Sequence, residues 1–221
     1  MPIIEKDLIK VIQQMSKKEA FLFDMDGLIF DTERMFMEQH AVVMKEHGYH
    51  LTREIYSETL GLGGKKLIET MQSYYGEDYP FSEISRETVR RVGIVAETVG
   101  LTVKLQIPET LEYLKERGIP CAVASSTRSD MVRQYLERAG LLQYFREIIG
   151  GEMVERSKPE PDIFLLACER LGKAPETCVV LEDSENGVRA AVNAGCEVIC
   201  VPDLKEPAPE VIEKAAYVVR R

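Results

Sequence analysis

Two aspartates set two residues apart, Asp24 and Asp26, follow the apolar run Ala20-Phe21-Leu22-Phe23 early in a 221-residue chain. A carboxylate where a buried strand ends can attack phosphorus and become an aspartyl-phosphate. A second carboxylate beside it can manage a proton, and the two are close enough to share a cation. Three further segments carry reactive side chains: Ser125-Ser126-Thr127, Ser157-Lys158-Pro159-Glu160-Pro161 and Glu182-Asp183-Ser184. Each has a plain structural reading on its own. The hydroxyl run could cap the next helix, Lys158 could be a surface lysine, and Glu182 and Asp183 could be a solvated pair. Pro161 suits a first helical turn, and Ser184 caps a helix over 185–194 whatever the function. Gathered at one edge of a parallel sheet, the segments imply more. Like charges that close cannot all stay ionised without a counter-charge. Mg2+ supplies one, favouring hard oxygen ligands and leaving room for a phosphate. A hydroxyl and the N–H groups at a helix start can hold that phosphate.

The elements that must position these residues alternate. Ile4, Leu8, Ile12 and Met15 form one apolar stripe and predict a helix over 3–17. Strands are expected at 20–24, 119–124, 148–149, 178–181 and 197–201. Helices are expected at 109–117, 129–139, 160–171 and 185–194, several of them stopped by glycine. Strand–helix alternation predicts an α/β fold, a Rossmann-like doubly wound parallel sheet covered on both faces. Between about 32 and 101 the pattern is helical only, at 33–47, 65–75 and 82–99, with Gly61, Gly63 and Gly64 in a loop. The expected organisation is a catalytic core of 1–31 and 102–221 with an all-helical cap, 32–101, inserted after the first strand. A cap there is expected to stand over the carboxyl ends of the strands, where open α/β sheets place ligands. Joined near 31 and 102, it could hinge. Pro202 to Pro209 reads as a loop.

Composition narrows the function classes. The chain is 45% hydrophobic with net charge −9 and a pI near 5.1, so a nucleic-acid backbone is repelled. No apolar stretch approaches the roughly 18 residues a membrane span needs. The charged N-terminal segment is unlike a signal peptide, which leads to the expectation of a soluble cytoplasmic protein, a monomer or weak homodimer. Five cysteines read as small buried hydrophobes in a reducing compartment. His40, His47 and His50 are poorly spaced for a metal and are expected on a helix surface.

In order and spacing, Phe23-Asp24-Met25-Asp26-Gly27, Val123-Ala124-Ser125-Ser126, Ser157-Lys158-Pro159-Glu160-Pro161-Asp162 and Leu181-Glu182-Asp183-Ser184 closely resemble the motifs of the haloacid dehalogenase superfamily, in its phosphatase and phosphomutase branch. The helical insertion resembles the small cap of the β-phosphoglucomutase-like subfamily. The resemblance implies that Asp24 is the nucleophile and that Asp26 protonates the leaving oxygen and then deprotonates water. It implies that Ser125, with Ser126, and Lys158 hold the phosphoryl oxygens, Lys158 also balancing Asp24. It assigns Mg2+ to Asp24, the Asp26 backbone carbonyl and Asp183, with Glu182 as ligand or outer partner. Thr32 and the cap loop Gly63-Gly64-Lys65 are the substrate-binding candidates. Lys65 and Lys66 read first as the exposed start of a helix and second as a contact for an anionic substrate.

Asp26 argues against dehalogenases, which lack it, and against phosphonate-cleaving members, which carry a small residue there. The remaining choice lies between a phosphatase of small phosphorylated metabolites, chiefly sugar phosphates, and a β-phosphoglucomutase. Mutases carry basic cap residues where this chain has Phe36 and, by an ungapped count, Ala96, and an arginine near Gly64. These departures favour the phosphatase. A binding protein that has kept the fold and lost turnover is disfavoured because Asp24, Asp26 and Lys158 are all present.

Overall fold

The computed structural model describes residues 2–15, 17–60 and 62–220. They form two compact units, Met1–Asp31 with Leu101–Arg221, and Thr32–Gly100. The strands are β1 (Ile3–Glu5), β2 (Ala20–Phe23), β3 (Cys121–Ala124), β4 (Phe145–Ile149), β5 (Cys178–Glu182), β6 (Glu197–Cys200) and β7 (Tyr217–Val219). The helices are α1 (Leu8–Gln14), α2 (Thr32–Glu46), α3 (Arg53–Thr59), α4 (Gly64–Tyr75), α5 (Phe81–Thr98), α6 (Ile107–Glu116), α7 (Ser129–Arg138), α8 (Asp162–Leu171), α9 (Glu185–Asn193) and α10 (Pro209–Ile212).

In the first unit all seven strands make one sheet, ordered β1-β7-β6-β5-β2-β3-β4, and every pairing is parallel. β2 sits near the middle, with Leu22 opposite both Ala122 and Val180. The central strands are apolar on both faces because helices cover both. Successive residues alternate between two cores. Phe21, Phe23, Val123 and Leu181 join Leu8, Ile12, Leu111 and Leu136 of α1, α6 and α7. Leu22, Ala122 and Val180 join Phe164, Val188 and Val211 of α8, α9 and α10. Both layers are apolar and buried, so the sheet's carboxyl edge is packed from two sides.

The N-terminal segment differs from the expected helix over 3–17. Ile3–Glu5 pairs with β7 at the sheet edge, and Ile4 is exposed rather than part of the stripe. Asp7 stops the helix from extending backward by accepting the amides of Ile9 and Lys10, at 3.1 and 3.4 Å, as an N-cap does. Leu8, Ile12 and Met15 are buried in the first core, so the stripe is internal packing. Two late elements fall where a loop and nothing further were expected: α10, beginning at Pro209, and β7.

The second unit, among its described residues, is helical throughout, as its pattern predicts, with α3 in addition. Thr52 caps α3 by accepting the Ile55 amide at 3.3 Å. α2 and α5 are tied by Arg91, whose guanidinium takes both oxygens of Glu46 at 2.9 and 2.6 Å. His40 is not on a helix surface. It is buried, stacked on Phe36, and its Nδ1 lies 3.3 Å from Thr88 Oγ1. The Thr88 hydroxyl donates to the Ile84 carbonyl, which leaves its oxygen to accept from a neutral His40. Burial lowers the His40 pKa to about 4. A cavity of about 250 Å³ inside this unit is lined largely by apolar side chains, among them Phe36, Leu51, Leu67 and Met71, with Glu33 and His40.

Candidate active site

Three of the four motifs leave the sheet from adjacent strand ends. Asp24 follows β2, Ser125 follows β3 and Glu182 closes β5. Lys158 arrives from the loop before α8. Its Nζ lies 2.5 Å from Asp24 Oδ1, 2.7 Å from Glu182 Oε1 and 3.1 Å from the Ala124 carbonyl. One ammonium thus spends its three donors on the ends of three separate strands. Asp24 is 6% exposed, Glu182 1% and Ser125 0%, so these are protein-surrounded polar groups, two of them carboxyls, whose interactions exceed those of surface pairs.

Asp26 is held differently. The Thr127 hydroxyl donates to its Oδ2 at 2.8 Å, and Ser125 Oγ lies 3.4 Å from the same oxygen. Ser125 Oγ in turn accepts the Thr127 amide at 3.0 Å. The hydroxyl run does not cap the following helix, whose N-cap is Arg128; it fixes Asp26. Ser126 is exposed. Asp24 and Asp26 therefore have unlike partners, a cation for one and hydroxyls for the other.

Glu182 is the organiser of the last motif. Its Oε2 accepts from the Asp183 and Ser184 amides and the Ser184 hydroxyl, at 2.9, 3.0 and 3.0 Å, while Oε1 holds Lys158. Ser184 also caps α9 by accepting the Gly187 amide at 3.1 Å. A Cβ on Gly187 would overlap the Glu182 carboxyl, so glycine is required for this close approach. Gly27, at φ +80°, has the same role toward Asp183: a Cβ there would overlap Asp183 Oδ2.

The charges do not balance. Burial raises the Asp24 carboxyl to about 8, with Lys158 opposing the rise and Glu182 and Asp26 adding to it. Burial, then the negative charges of Glu182, Asp24 and Asp203, push Asp183 well above the usual carboxylate range. Burial works against the Lys158 charge, but Asp24 and Glu182 outweigh it and hold the ammonium above its ordinary range. A single lysine leaves surplus negative charge. Carboxylate oxygens of Asp24, Glu182 and Asp183 lie within 4.8 Å of one another, a hard-oxygen donor set that fits a divalent cation.

The structure thus brings together Asp24, Asp26, Ser125, Lys158, Glu182 and Asp183. Thr32, Gly63, Gly64 and Lys65 belong to the helical unit. Thr32 opens α2, Gly63 is the N-cap of α4 and Gly64 its first residue. Lys65 is 90% exposed and pairs with Glu69 at 3.2 Å. Gly61 lies outside the described residues. Sequence reasoning missed two features. In the sequence Thr127 is only part of a hydroxyl run, and its grip on Asp26 needs the fold to be seen. Asp203 follows β6 at the same sheet edge, contacting Lys104; the strand-end rule that found the other motifs could have found it.

This fold and edge define a hydrolase of the haloacid dehalogenase type, and the chain belongs to the haloacid dehalogenase-like hydrolases, whose family pattern matches residues 21–201. Relatives that it resembles are named phosphatases. It is 34% identical over 82% of its length to the phosphorylated carbohydrates phosphatase of Thermotoga maritima, covering 83% of that protein. It is also 34% identical to hexitol phosphatase A of Escherichia coli, covering 83% of this chain and 82% of that one. Among solved structures, a Thermotoga maritima protein provisionally named β-phosphoglucomutase matches with a TM-score of 0.74 at 29% identity, over 91% of this chain and 94% of the other. No helix among the described residues is long and apolar enough to cross a membrane.

Proposed function

We propose that this protein is a Mg2+-dependent phosphatase of small phosphorylated metabolites, chiefly sugar phosphates, acting through an aspartyl-phosphate on Asp24. The observation that carries the reading is the unlike treatment of two neighbouring carboxylates: Lys158 holds Asp24 while Thr127 holds Asp26. Environments that differentiate two close carboxyls divide them into nucleophile and acid–base. The name of the Thermotoga phosphatase supports the substrate class.

In the first half-reaction an Asp24 carboxylate oxygen forms a bond to phosphorus as the bond to the sugar oxygen breaks. Asp26, protonated, gives its proton to that leaving oxygen. In the second, water attacks the phosphorus of the aspartyl-phosphate and Asp26 takes the water's proton. The Asp24–phosphorus bond breaks and phosphate leaves. Lys158 and Ser125 hold the phosphoryl oxygens through both halves, Ser126 offers a further hydroxyl, and Lys158 keeps Asp24 in line. Asp24, Asp183 and the Asp26 carbonyl are the residues to hold Mg2+, with Glu182 bracing Asp183. When bound, the ion supplies positive charge against the phosphoryl oxygens and the surplus of carboxylates. Thr32, Gly63, Gly64 and Lys65 are the contacts proposed for the rest of the substrate.

The mutase is the second reading. Against it, Phe36 lines the apolar cavity and Ala96 is buried, so neither offers a cation to a second phosphate. Phosphate release should be measured with Mg2+ across a panel of phosphorylated metabolites, beside β-glucose 1-phosphate with a trace of its bisphosphate. Steady release from a few sugar phosphates is expected. Conversion of β-glucose 1-phosphate to glucose 6-phosphate with little free phosphate would establish the mutase instead, and no release from any compound would defeat the phosphatase.

A further inference from the structure

We infer that Asp203 is a positioning residue for the divalent cation, an outer carboxylate that Lys104 aims at Asp183; this rests on the cation-dependent reading above. Asp203 stands three residues beyond the end of β6, the neighbour of β5 in the sheet. Its strand end therefore lies beside the one that carries Asp183. Its side chain is 11% exposed, which for an acidic group calls for a definite partner.

The two oxygens of Asp203 are used unequally. Oδ1 accepts from the Lys104 ammonium, and that ammonium also lies 3.8 Å from Asp31 Oδ1. Lys104 is itself fixed, since its amide donates to the Ile29 carbonyl at 2.9 Å. Oδ2 is buried and has no hydrogen-bond partner. It lies beside Gly27. A Cβ built there would overlap Asp183 Oδ2 and lie 3.3 Å from Asp203 Oδ2. The two oxygens therefore flank one point above the Gly27 Cα. Two carboxylate oxygens beside one point repel each other, and neither can donate a hydrogen bond to the other. Positive charge bound to Asp183 turns that repulsion into attraction. It also gives Asp203 something to accept from, directly or through a bridging water. Partners of this outer kind orient the direct ligands, and their loss typically weakens metal affinity about 10–100-fold.

The test is titration calorimetry with MgCl2 alone on the full chain, comparing wild type, Asp183→Asn, Asp203→Asn and Asp203→Ala. Thermal midpoints are read with and without Mg2+, and phosphate release is followed against Mg2+ concentration. Asp183→Asn should lose Mg2+ binding. Both Asp203 variants should bind Mg2+ about 10–100-fold more weakly, with most of kcat restored when Mg2+ is raised to saturation. Asp203→Asn keeps an oxygen for Lys104 and places an amide donor where Oδ2 faced Asp183. Its metal-free midpoint should equal or exceed that of wild type, while the rise on adding Mg2+ shrinks. A lowered metal-free midpoint with unchanged Mg2+ affinity would mean a merely structural residue and overturn the inference. Failure of the wild type to bind Mg2+ would instead defeat the cation reading, and this inference with it.

Discussion

The sheet edge and the helical unit treat their polar groups in opposite ways. At the edge, Asp24, Glu182 and Lys158 are almost wholly buried, yet each is tied to a partner from a different strand or loop. In the helical unit the buried polar groups are few, His40 and Thr88, and a half-open pocket is lined mostly by partly buried apolar side chains. The edge gathers more negative charge than its one lysine can balance. The helical unit's ion pairs, such as Arg91 with Glu46, lie toward solvent and are each worth little. The strand ends hold a charge arrangement fixed by partners from several strands, and the helical unit holds an apolar pocket.

Breaking the edge should therefore cost turnover, while changes in the helical unit should alter stability or substrate affinity and leave the chemistry intact. The largest effect is expected at Asp24. Asp24→Asn should abolish phosphate release while circular dichroism shows an intact fold, since the amide keeps the shape and loses the nucleophile. Asp26→Ala should lower kcat by about 10²–10⁴-fold, the usual worth of acid–base help, as measured by steady-state phosphate release.

In the helical unit the strongest prediction concerns pH. His40 has a pKa of about 4 when folded against about 6.5 in an unfolded chain. Between those values the unfolded chain takes up a proton that the folded one refuses. The stability owed to neutral His40 is thus complete above about pH 6.5 and is lost as pH falls toward 4, by up to about 3 kcal/mol. Urea unfolding from pH 7 to 4 should show that slope, and His40→Leu should flatten it with kcat at pH 7 preserved. The smallest effect is at Lys65. Its exposed pair with Glu69 predicts that Lys65→Ala changes stability by less than about 0.5 kcal/mol. If Lys65 meets the substrate, KM rises a few-fold at constant kcat.

The same contrast explains what could be read from the chain. The edge was legible because each strand is a short apolar run that ends in a chemically distinctive group, and a parallel sheet carries all such ends to one side. Asp203 obeys that rule but falls just past the expected strand 197–201, within Pro202 to Pro209, which reads as a loop. Thr127 was hidden because a hydroxyl three residues past a strand could equally cap a helix. The strand at Ile3–Glu5 was obscured because Ile4 matches a helical stripe as well as an edge strand; only pairing with β7 decides. In the helical unit the periodicity reveals helices, yet the burial of His40 depends on how α2 meets α5, which no local pattern encodes.

The most direct test of the account is to mix the Asp26→Ala variant with a sugar phosphate that the wild type hydrolyses, quench in acid and locate the phosphoryl group by peptide mass spectrometry. A hydroxylamine-labile phosphoryl group on Asp24 is the predicted result. An adduct on another residue, or phosphate release by Asp24→Asn at the wild-type rate, would contradict the nucleophile assignment and with it the reading of the sheet edge.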